Sequence, residues 1–321
     1  MIMNNRNQLY IVMYHYTRDL RNSRYPNIKG LDVNLFEQQL DYFNENFTPV
    51  SMEQVLDAVK NKIELPPNAV LLTFDDGYID NFTYAMPLLE KKGIQGSFFI
   101  PGKTFREHKL LDVNKVHFIL SSTEIGNLVS SLNKKMDYYR GSEFKYPSVK
   151  ELYEEYAEPN RFDDKDTIYV KRMLQTALPE KIRNLISSEL FEEFVGISEE
   201  QFAYELYMTE DQIRTLKRHG MFIGIHGYDH YWLGKLDKLQ MQQDIENALN
   251  ALDEFVDRNS WVINYPYGNY SDDVISFARE NGAVIGLSIE VRTADLLKDN
   301  LFALPRYDCN DFPPKSENYK E

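Results

Sequence analysis

The sequence predicts an α/β fold in which parallel strands form one barrel-like domain that a helical insertion interrupts. Three observations favour this fold. Short apolar segments of strand length alternate with amphipathic segments of helical length, a pattern typical of βα units. The chain has 321 residues, of which 43% are hydrophobic, so a sizeable core can form. The alternation pauses once, between about residues 106 and 207.

Three strands are predicted before the pause. They are the apolar runs 9–13, 69–74 and 96–100. A helix is predicted over residues 35–43, where apolar side chains recur at helical spacing. Ser51 and Gln54 form the pattern of a capping box, which begins another helix. A third helix follows the second strand and ends near Gly93, because glycine readily adopts the left-handed conformation at a helix C-terminus.

The pause itself predicts a mainly helical insertion at about residues 106–207. This stretch is rich in charged, helix-forming residues and has no clear strand pattern. Long excursions from a compact domain usually carry function, so we expect a lid or cap on the substrate side. Two alternatives stay open: a second domain unrelated to the site, or a surface for homo-oligomer formation.

The alternation resumes at Thr209, which forms a second capping box with Gln212. Strands are then predicted at residues 221–225, 261–265 and 283–287, and helices at 236–257 and 272–280. The whole chain, residues 1–321, is therefore interpreted as a single domain with one interruption.

Composition limits the function. The formal net charge of −14 argues against a nucleic-acid or anionic-membrane partner, because both require a basic surface. The single cysteine, Cys309, cannot form an intramolecular disulfide, which fits a reducing compartment. No apolar run approaches the roughly 18 residues of a membrane span, and the N-terminus does not have the pattern of a signal peptide. These features predict a cytoplasmic protein.

Polar residues follow two of the predicted strands. In a parallel barrel the C-terminal ends of the strands converge on one face, so these residues are expected to lie near each other. Asp75 and Asp76 follow the second strand, and His226 and His230 follow the fourth. Buried carboxylates must be paired, protonated or bound to a metal. One carboxylate and two imidazoles are a typical ligand set for a catalytic divalent metal, and the second carboxylate could act as a base.

These segments, together with Pro266-Tyr267-Gly268 after the fifth strand, resemble in their order the motifs of the polysaccharide deacetylase (NodB-homology) family. The resemblance implies a distorted (β/α) barrel, usually of seven strands, that hydrolyses acetamido groups on sugars with a divalent metal. It also implies the role of each matching residue. These roles are Asp75 as general base, Asp76, His226 and His230 as metal ligands, and the backbone N–H of Tyr267 as an oxyanion donor.

The chain departs from the family pattern in two places. Asn264 stands where the family usually has an arginine that orients the catalytic acid, and no histidine follows His230 to act as the general acid. His15, after the first strand, could replace that acid or could be structural. Arg18, three residues later, could take the role of the missing arginine.

Two further residues are candidates for the site. Arg306 could orient the catalytic carboxylate, or could form a surface ion pair with Asp308. His117, in the insertion, could contact the substrate or be structural. Aromatic residues near the motifs, among them Tyr78 and Trp232, could stack on sugar rings.

We therefore expect a metal-dependent N-deacetylase that acts on an acetamido sugar, with zinc as the expected metal. Cobalt, nickel or iron would suit the same ligands. A cytoplasmic location favours a precursor of a surface polysaccharide, such as a lipopolysaccharide O-antigen or a capsule. The alternatives are a metal-dependent amidohydrolase for a small non-sugar amide and a non-catalytic sugar-binding barrel.

Overall fold

The computed structural model describes residues 7–141, 144–160 and 163–320. These residues form two compact units. Of the described residues, the first unit contains 7–19, 30–108 and 204–320, and the second contains 20–29 and 109–203, apart from the gaps just given. The segment 20–29 belongs to the second unit, which the sequence pattern did not indicate. The interpretation of the chain as one interrupted domain stays a prediction.

All strands of the described chain lie in the first unit. The strands are β1 Gln8–Tyr14, β2 Thr17–Arg18, β3 Leu31–Asp32, β4 Thr48–Pro49, β5 Ala69–Phe74, β6 Gly96–Ile100, β7 Phe222–Ile225, β8 Trp261–Asn264, β9 Ala283–Leu287, β10 Ala294–Asp295 and β11 Tyr307–Asp308. The six longest match the six predicted strands to within one residue at each end. The five others have two residues each, too few to give a periodic pattern.

The helices alternate with these strands in the first unit and form the second unit. They are α1 Val33–Asn46, α2 Met52–Asn61, α3 Met86–Lys92, α4 Gly102–Arg106, α5 Asp112–Ser122, α6 Ile125–Tyr139, α7 Val149–Tyr156, α8 Lys165–Arg172, α9 Glu180–Val195, α10 Glu199–Leu206, α11 Glu210–Arg218, α12 Lys238–Ala251 and α13 Asp272–Glu280. The predicted helix 236–257 was too long, since α12 ends at Ala251 and Leu252 is its C-cap. No helix within the described residues is long and apolar enough to cross a membrane.

The main sheet has the order β10-β1-β5-β6-β7-β8-β9, with β11 paired to β1 and β4 paired to β5. The neighbours from β1 to β9 along this order are all parallel. The segment before β11 bridges Leu287 of β9 through Leu304, and β11 itself pairs with β1. One short segment therefore joins β9, at one end of this order, to β1 near the other end.

The buried side chains of the strands show that this sheet is curled. On one face, Val70, Phe98 and Ile263 belong to a cluster that includes residues of the surrounding helices. On the other face, side chains of strands that are far apart in the sheet order belong to one cluster, as Ile11 and Val262 do. Such strands can contribute to one cluster only if the sheet curves around it, as in a barrel.

The regular secondary structure of the second unit is helical within its described residues, apart from an isolated bridge between Arg140 and Phe144. Its interior includes aromatic contacts between Tyr25 and Phe118, with ring centroids 4.9 Å apart, and between Phe118 and Phe202, 4.5 Å apart. Tyr25 comes from the segment 20–29, which explains why that segment belongs to this unit.

Candidate active site

Three side chains of the first unit form a group of potential metal ligands. Asp76 follows β5, and His226 and His230 follow β7. One ligand atom of each lies within 4.8 Å of the others. Asp76 Oδ1 is 3.3 Å from His226 Nε2 and 3.2 Å from His230 Nε2. All three side chains are buried.

The two carboxylate oxygens of Asp76 have different surroundings. Oδ2 accepts a hydrogen bond from the hydroxyl of Tyr78. Oδ1 is buried and has no hydrogen-bond partner among the described residues, although two imidazole nitrogens face it. A buried oxygen without a partner is unfavourable, and an Asp-His-His set with one such oxygen fits a divalent cation. Tyr78 therefore leaves Oδ1 as the atom available to a metal.

The charges of this group are coupled. Burial acts to raise the pKa of Asp76, but the two neighbouring imidazoles hold that pKa well below its usual value. Burial lowers the pKa of His230. For His226, burial is outweighed by Asp76 and Asp75, so its pKa is raised.

A backbone contact fixes the orientation of His226. Its Nδ1 lies 2.7 Å from the carbonyl oxygen of Asn264. Because a carbonyl oxygen can only accept, Nδ1 carries the hydrogen and Nε2 presents its lone pair toward Asp76. This arrangement is usual for metal-binding histidines.

Backbone strain is concentrated at the site. Asp76, His230 and Tyr267 have φ values of 71°, 58° and 57°, and they are three of the six non-glycine residues with positive φ in the described chain. Gly77 and Gly227 beside them also have positive φ. A left-handed conformation is unfavourable for residues with a Cβ, and it persists where the surrounding structure imposes it, often at functional sites.

Asp75 is paired with Arg306 inside the protein. Nη1 and Nη2 of Arg306 each donate to one oxygen of Asp75 at 2.9 Å. The guanidinium also donates to Thr73 Oγ1 at 3.1 Å and to the carbonyl oxygen of Ser288 at 2.9 Å. Burial acts to raise the pKa of Asp75, but Arg306, with contributions from His226 and His15, holds it below its usual value.

Two expectations about arginines are corrected by this pairing. Arg306 is 1% exposed and contacts Asp75, so it is not part of a surface ion pair with Asp308. Arg18, expected beside Asp75, instead donates from Nε to Asp80 Oδ2 at 2.6 Å. Arg306 precedes β11 in the segment that joins β9 to β1, and its role in place of the missing family arginine stays a prediction.

His15 and Asn264, the two other positions that bear on the family pattern, have different surroundings. His15 follows β1, and its Nε2 is 3.9 Å from Asp75 Oδ2, with 37% of its side chain exposed. Asn264 is fully buried, and neither its Oδ1 nor its Nδ2 has a partner among the residues described. His15 thus reaches the expected carboxylate while keeping access to solvent, and its role as an acid stays a prediction.

Tyr267 lies in a short 3₁₀ turn, Pro266–Gly268, directly after β8. Its ring contacts the ring of His230, with centroids 4.8 Å apart, and stacks on Trp232 at 4.5 Å. The role of its backbone N–H stays a prediction. His117 belongs to α5 of the second unit and lines a cavity of about 170 Å³ there, and its contact with substrate also stays a prediction.

The sequence did not identify two residues that support the ligands. Tyr78 was considered only as a surface for sugar stacking, but it is fully buried and donates to Asp76. Asp244, on α12, accepts hydrogen bonds from the loop between the two histidines. The only sequence signal for Asp244 is a carboxylate among the buried positions of an amphipathic helix.

A family model, Polysaccharide deacetylase, matches residues 62–139 and 186–286, more than half of the chain. The chain belongs to the polysaccharide deacetylase family. A Bacillus subtilis (strain 168) protein named as a polysaccharide deacetylase, YxkH, is 20% identical over 303 residues, which cover 93% of this chain and 70% of the relative. The expected family is thus confirmed, together with the enzyme class, a hydrolase that removes acetyl groups from carbohydrate by cleaving amide bonds.

Solved structures of similar proteins support the fold. The Streptococcus pyogenes deacetylase PplD, in complex with acetate, has a TM-score of 0.56 and 18% identity, with 98% of this chain and 96% of that chain covered. IcaB from Ammonifex degensii also has a TM-score of 0.56 and 18% identity, with 96% and 95% covered. The prediction of a distorted (β/α) barrel for this deacetylase family member is confirmed.

Proposed function

We propose that this polysaccharide deacetylase is a divalent-metal-dependent N-deacetylase that acts on an acetamido sugar, with zinc as its metal. The observation that carries the proposal is the buried Asp76 Oδ1, which accepts no hydrogen bond from the described residues and faces Nε2 of His226 and Nε2 of His230. Next to it lies a second carboxylate, Asp75, whose two oxygens are fixed by Arg306.

Asp76, His226 and His230 would hold the metal. When bound there, a divalent cation polarises an amide carbonyl and acidifies a water molecule. The protein contributes a buried site in which Tyr78 engages one oxygen of Asp76 and Asn264 fixes the tautomer of His226. Both contacts orient the ligands before any substrate arrives.

Asp75 is the general base of the proposed reaction. Arg306 keeps it ionised and holds its plane, so a carboxylate oxygen can accept the proton of the attacking water. The water oxygen bonds to the acetyl carbon, and the oxyanion that forms is stabilised by the Tyr267 N–H. His15, 3.9 Å from Asp75 Oδ2, donates a proton to the departing sugar nitrogen as the C–N bond breaks. Acetate and a free amine are released.

The proposal extends to the substrate class and the setting. The acetamido sugar would belong to a surface polysaccharide or its precursor, such as an O-antigen or a capsule, and the enzyme would act in the cytoplasm. The family description supports a carbohydrate. The net charge of −14 favours a neutral or cationic sugar over an anionic polymer, because like charges repel. Homo-oligomer formation stays a prediction.

The two alternatives to a carbohydrate deacetylase have lost their support. The small-amide hydrolase was an alternative because the chain lacks the arginine and the histidine of the family's later motifs. Arg306 and His15 lie beside Asp75 and could take both roles, so this reason no longer favours a small amide. The non-catalytic barrel does not fit a chain of the polysaccharide deacetylase family that retains both the ligand group and the paired carboxylate.

The test combines metal content with acetate release from a panel of acetamido sugars. The wild type should hold about one divalent ion, and a variant with alanine at Asp76, His226 and His230 should hold none. Asp75→Asn should keep the metal and lose at least about 100-fold in acetate release. Asp41→Asn, which removes an exposed carboxylate of α1, is the matched control and should keep full activity.

Two results would overturn the proposal. One is a wild-type protein that binds no divalent metal after reloading. The other is an Asp75→Asn variant that releases acetate at the wild-type rate from a sugar that the wild type turns over.

A further inference from the structure

The loop between the two histidine ligands is fixed from one side by Asp244 of α12. Oδ1 of Asp244 accepts from the backbone N–H of Tyr228 at 2.9 Å, and Oδ2 accepts from the backbone N–H of Asp229 at 2.9 Å. Asp244 is only 4% exposed. Both oxygens of one buried carboxylate are thus engaged by two consecutive peptide groups of this loop.

The same loop is fixed from the other side by the start of α4. The carbonyl oxygen of Gly227 accepts from the N–H of Gly102 at 3.2 Å, and that of Tyr228 accepts from the N–H of Lys103 at 3.1 Å. The ring of Tyr228 covers Gly102, since a Cβ at Gly102 would lie 2.5 Å from that ring. Donors and acceptors of the loop backbone are therefore both satisfied by neighbouring elements.

The loop has little room to move relative to Asp244. Gly227 has φ of +67°, and a Cβ there would lie 2.9 Å from Asp244 Oδ1.

Burial raises the pKa of Asp244 to about 6, although the two N–H groups act in the opposite direction. At neutral pH the carboxylate is thus ionised in a buried position where the loop backbone supplies its two hydrogen-bond donors.

We propose that Asp244 is a positioning residue that sets the geometry of the metal ligands through the loop 227–229. The proposal rests on the proposed function, because it assumes that His226 and His230 bind the metal. These two histidines flank the loop directly, and His230 has the left-handed φ of 58°. A change in the loop backbone would therefore move at least one Nε2 away from its place about 3.2–3.3 Å from Asp76 Oδ1.

Asparagine at this position would keep the shape of the side chain but not its two acceptors. Its amide has one oxygen and one NH₂ group, so one of the two loop N–H groups would face another donor. The loop must then rearrange or leave a buried N–H unpaired. Residues that orient metal ligands typically change metal affinity 10- to 100-fold when they are replaced.

The experiment measures metal affinity directly. Apo protein is titrated with Zn²⁺ in competition with a chromophoric chelator, and with Co²⁺, whose visible spectrum reports ligand geometry. Asp244→Asn should bind Zn²⁺ about 10- to 100-fold more weakly than the wild type, with an altered Co²⁺ spectrum. Asp237→Ala is the matched control. It also removes a carboxylate from α12, but this carboxylate is the N-cap, which accepts from the backbone N–H of Gln240 rather than from the loop. It should lower the melting temperature and leave affinity and spectrum unchanged.

The outcomes separate this proposal from the proposed function. A wild type that binds neither ion overturns the metal site itself. A wild type that binds, with Asp244→Asn equal to it in affinity and spectrum, overturns the positioning role and leaves a residue that only stabilises the fold. If Asp244→Asn does not fold, Asp244→Glu decides, since it keeps both acceptor oxygens at a shifted position. A loss of affinity beyond the error of the titration supports the proposal, and wild-type affinity overturns it.

Discussion

Replacement of Arg306 by methionine tests the pairing that holds the proposed base. Methionine removes the guanidinium and keeps an unbranched apolar side chain about as long as the aliphatic stem of arginine. Asp75 would then lie 2% exposed without the two N–H donors at 2.9 Å that now neutralise it. The variant thus separates the loss of a buried partner from the loss of packing.

The magnitude follows from the burial of both partners. Arg306 and Asp75 have side chains that are 1% and 2% exposed, so the ion pair is screened very little by solvent. Removal of one partner of a buried pair typically costs about 3–5 kcal/mol, because an uncompensated charge is left. The double variant Asp75→Asn/Arg306→Met has no such charge and should recover about 2 kcal/mol or more of that loss.

Urea unfolding followed by tryptophan fluorescence is the appropriate assay. The chain has two tryptophans, Trp232 and Trp261, and both belong to the first unit, so the signal reports on the unit that contains the pair. A chelator keeps metal binding out of the measurement. Arg258→Met is the control: Arg258 is about one-third exposed and pairs with Glu246 and Asp253, so solvent screening should keep its loss under about 1 kcal/mol.

The reasoning would be refuted if Arg306→Met lost no more stability than Arg258→Met. It would also be refuted if the double variant were as unstable as the sum of its two single variants, since that would show no coupling between Arg306 and Asp75.

Three other predictions follow from the same site. Tyr78→Phe should lower Zn²⁺ affinity roughly tenfold in chelator competition, because Asp76 Oδ2 loses its donor; an unchanged affinity would contradict this role. Gly77→Ala should destabilise more than Gly93→Ala in urea unfolding: both have φ of +70°, but a Cβ at Gly77 would lie 2.9 Å from a methyl carbon of β6, whereas nothing lies within 4 Å at Gly93. Equal losses would show that only backbone strain matters. For Asp244, burial raises the pKa from 3.8 to about 6, so the folded state binds the extra proton and the stability from this group is full below pH 4 and lost as pH rises through about 6. The unfolding free energy of the wild type minus that of Asp244→Asn should therefore fall by about 2 kcal/mol between pH 4 and pH 7, and a flat difference would contradict the shift.

The sequence determined the parts of this protein that depend on local pattern. The strand at 69–74 and the strand at 96–100 were predicted with the bounds that the structure has, because an apolar run bounded by polar or turn residues defines a buried strand. The meeting of Asp76 with His226 and His230 was also predicted, since the C-terminal ends of parallel strands lie on one face.

Only the tertiary structure decided which distant groups pair inside the barrel. Arg306 and Asp75 are 231 positions apart in the chain, and their contact depends on the segment that joins β9 to β1, which has no periodic pattern of its own. The sequence offered Arg18 and Arg306 for the same role, and nothing local distinguishes two arginines near strand ends. Tyr78 supports the ligands through one hydrogen bond to Asp76, and Asp244 through two hydrogen bonds to the loop between the histidines. The partners of these bonds are set by side-chain direction and helix packing, which follow from the tertiary structure rather than from spacing along the chain.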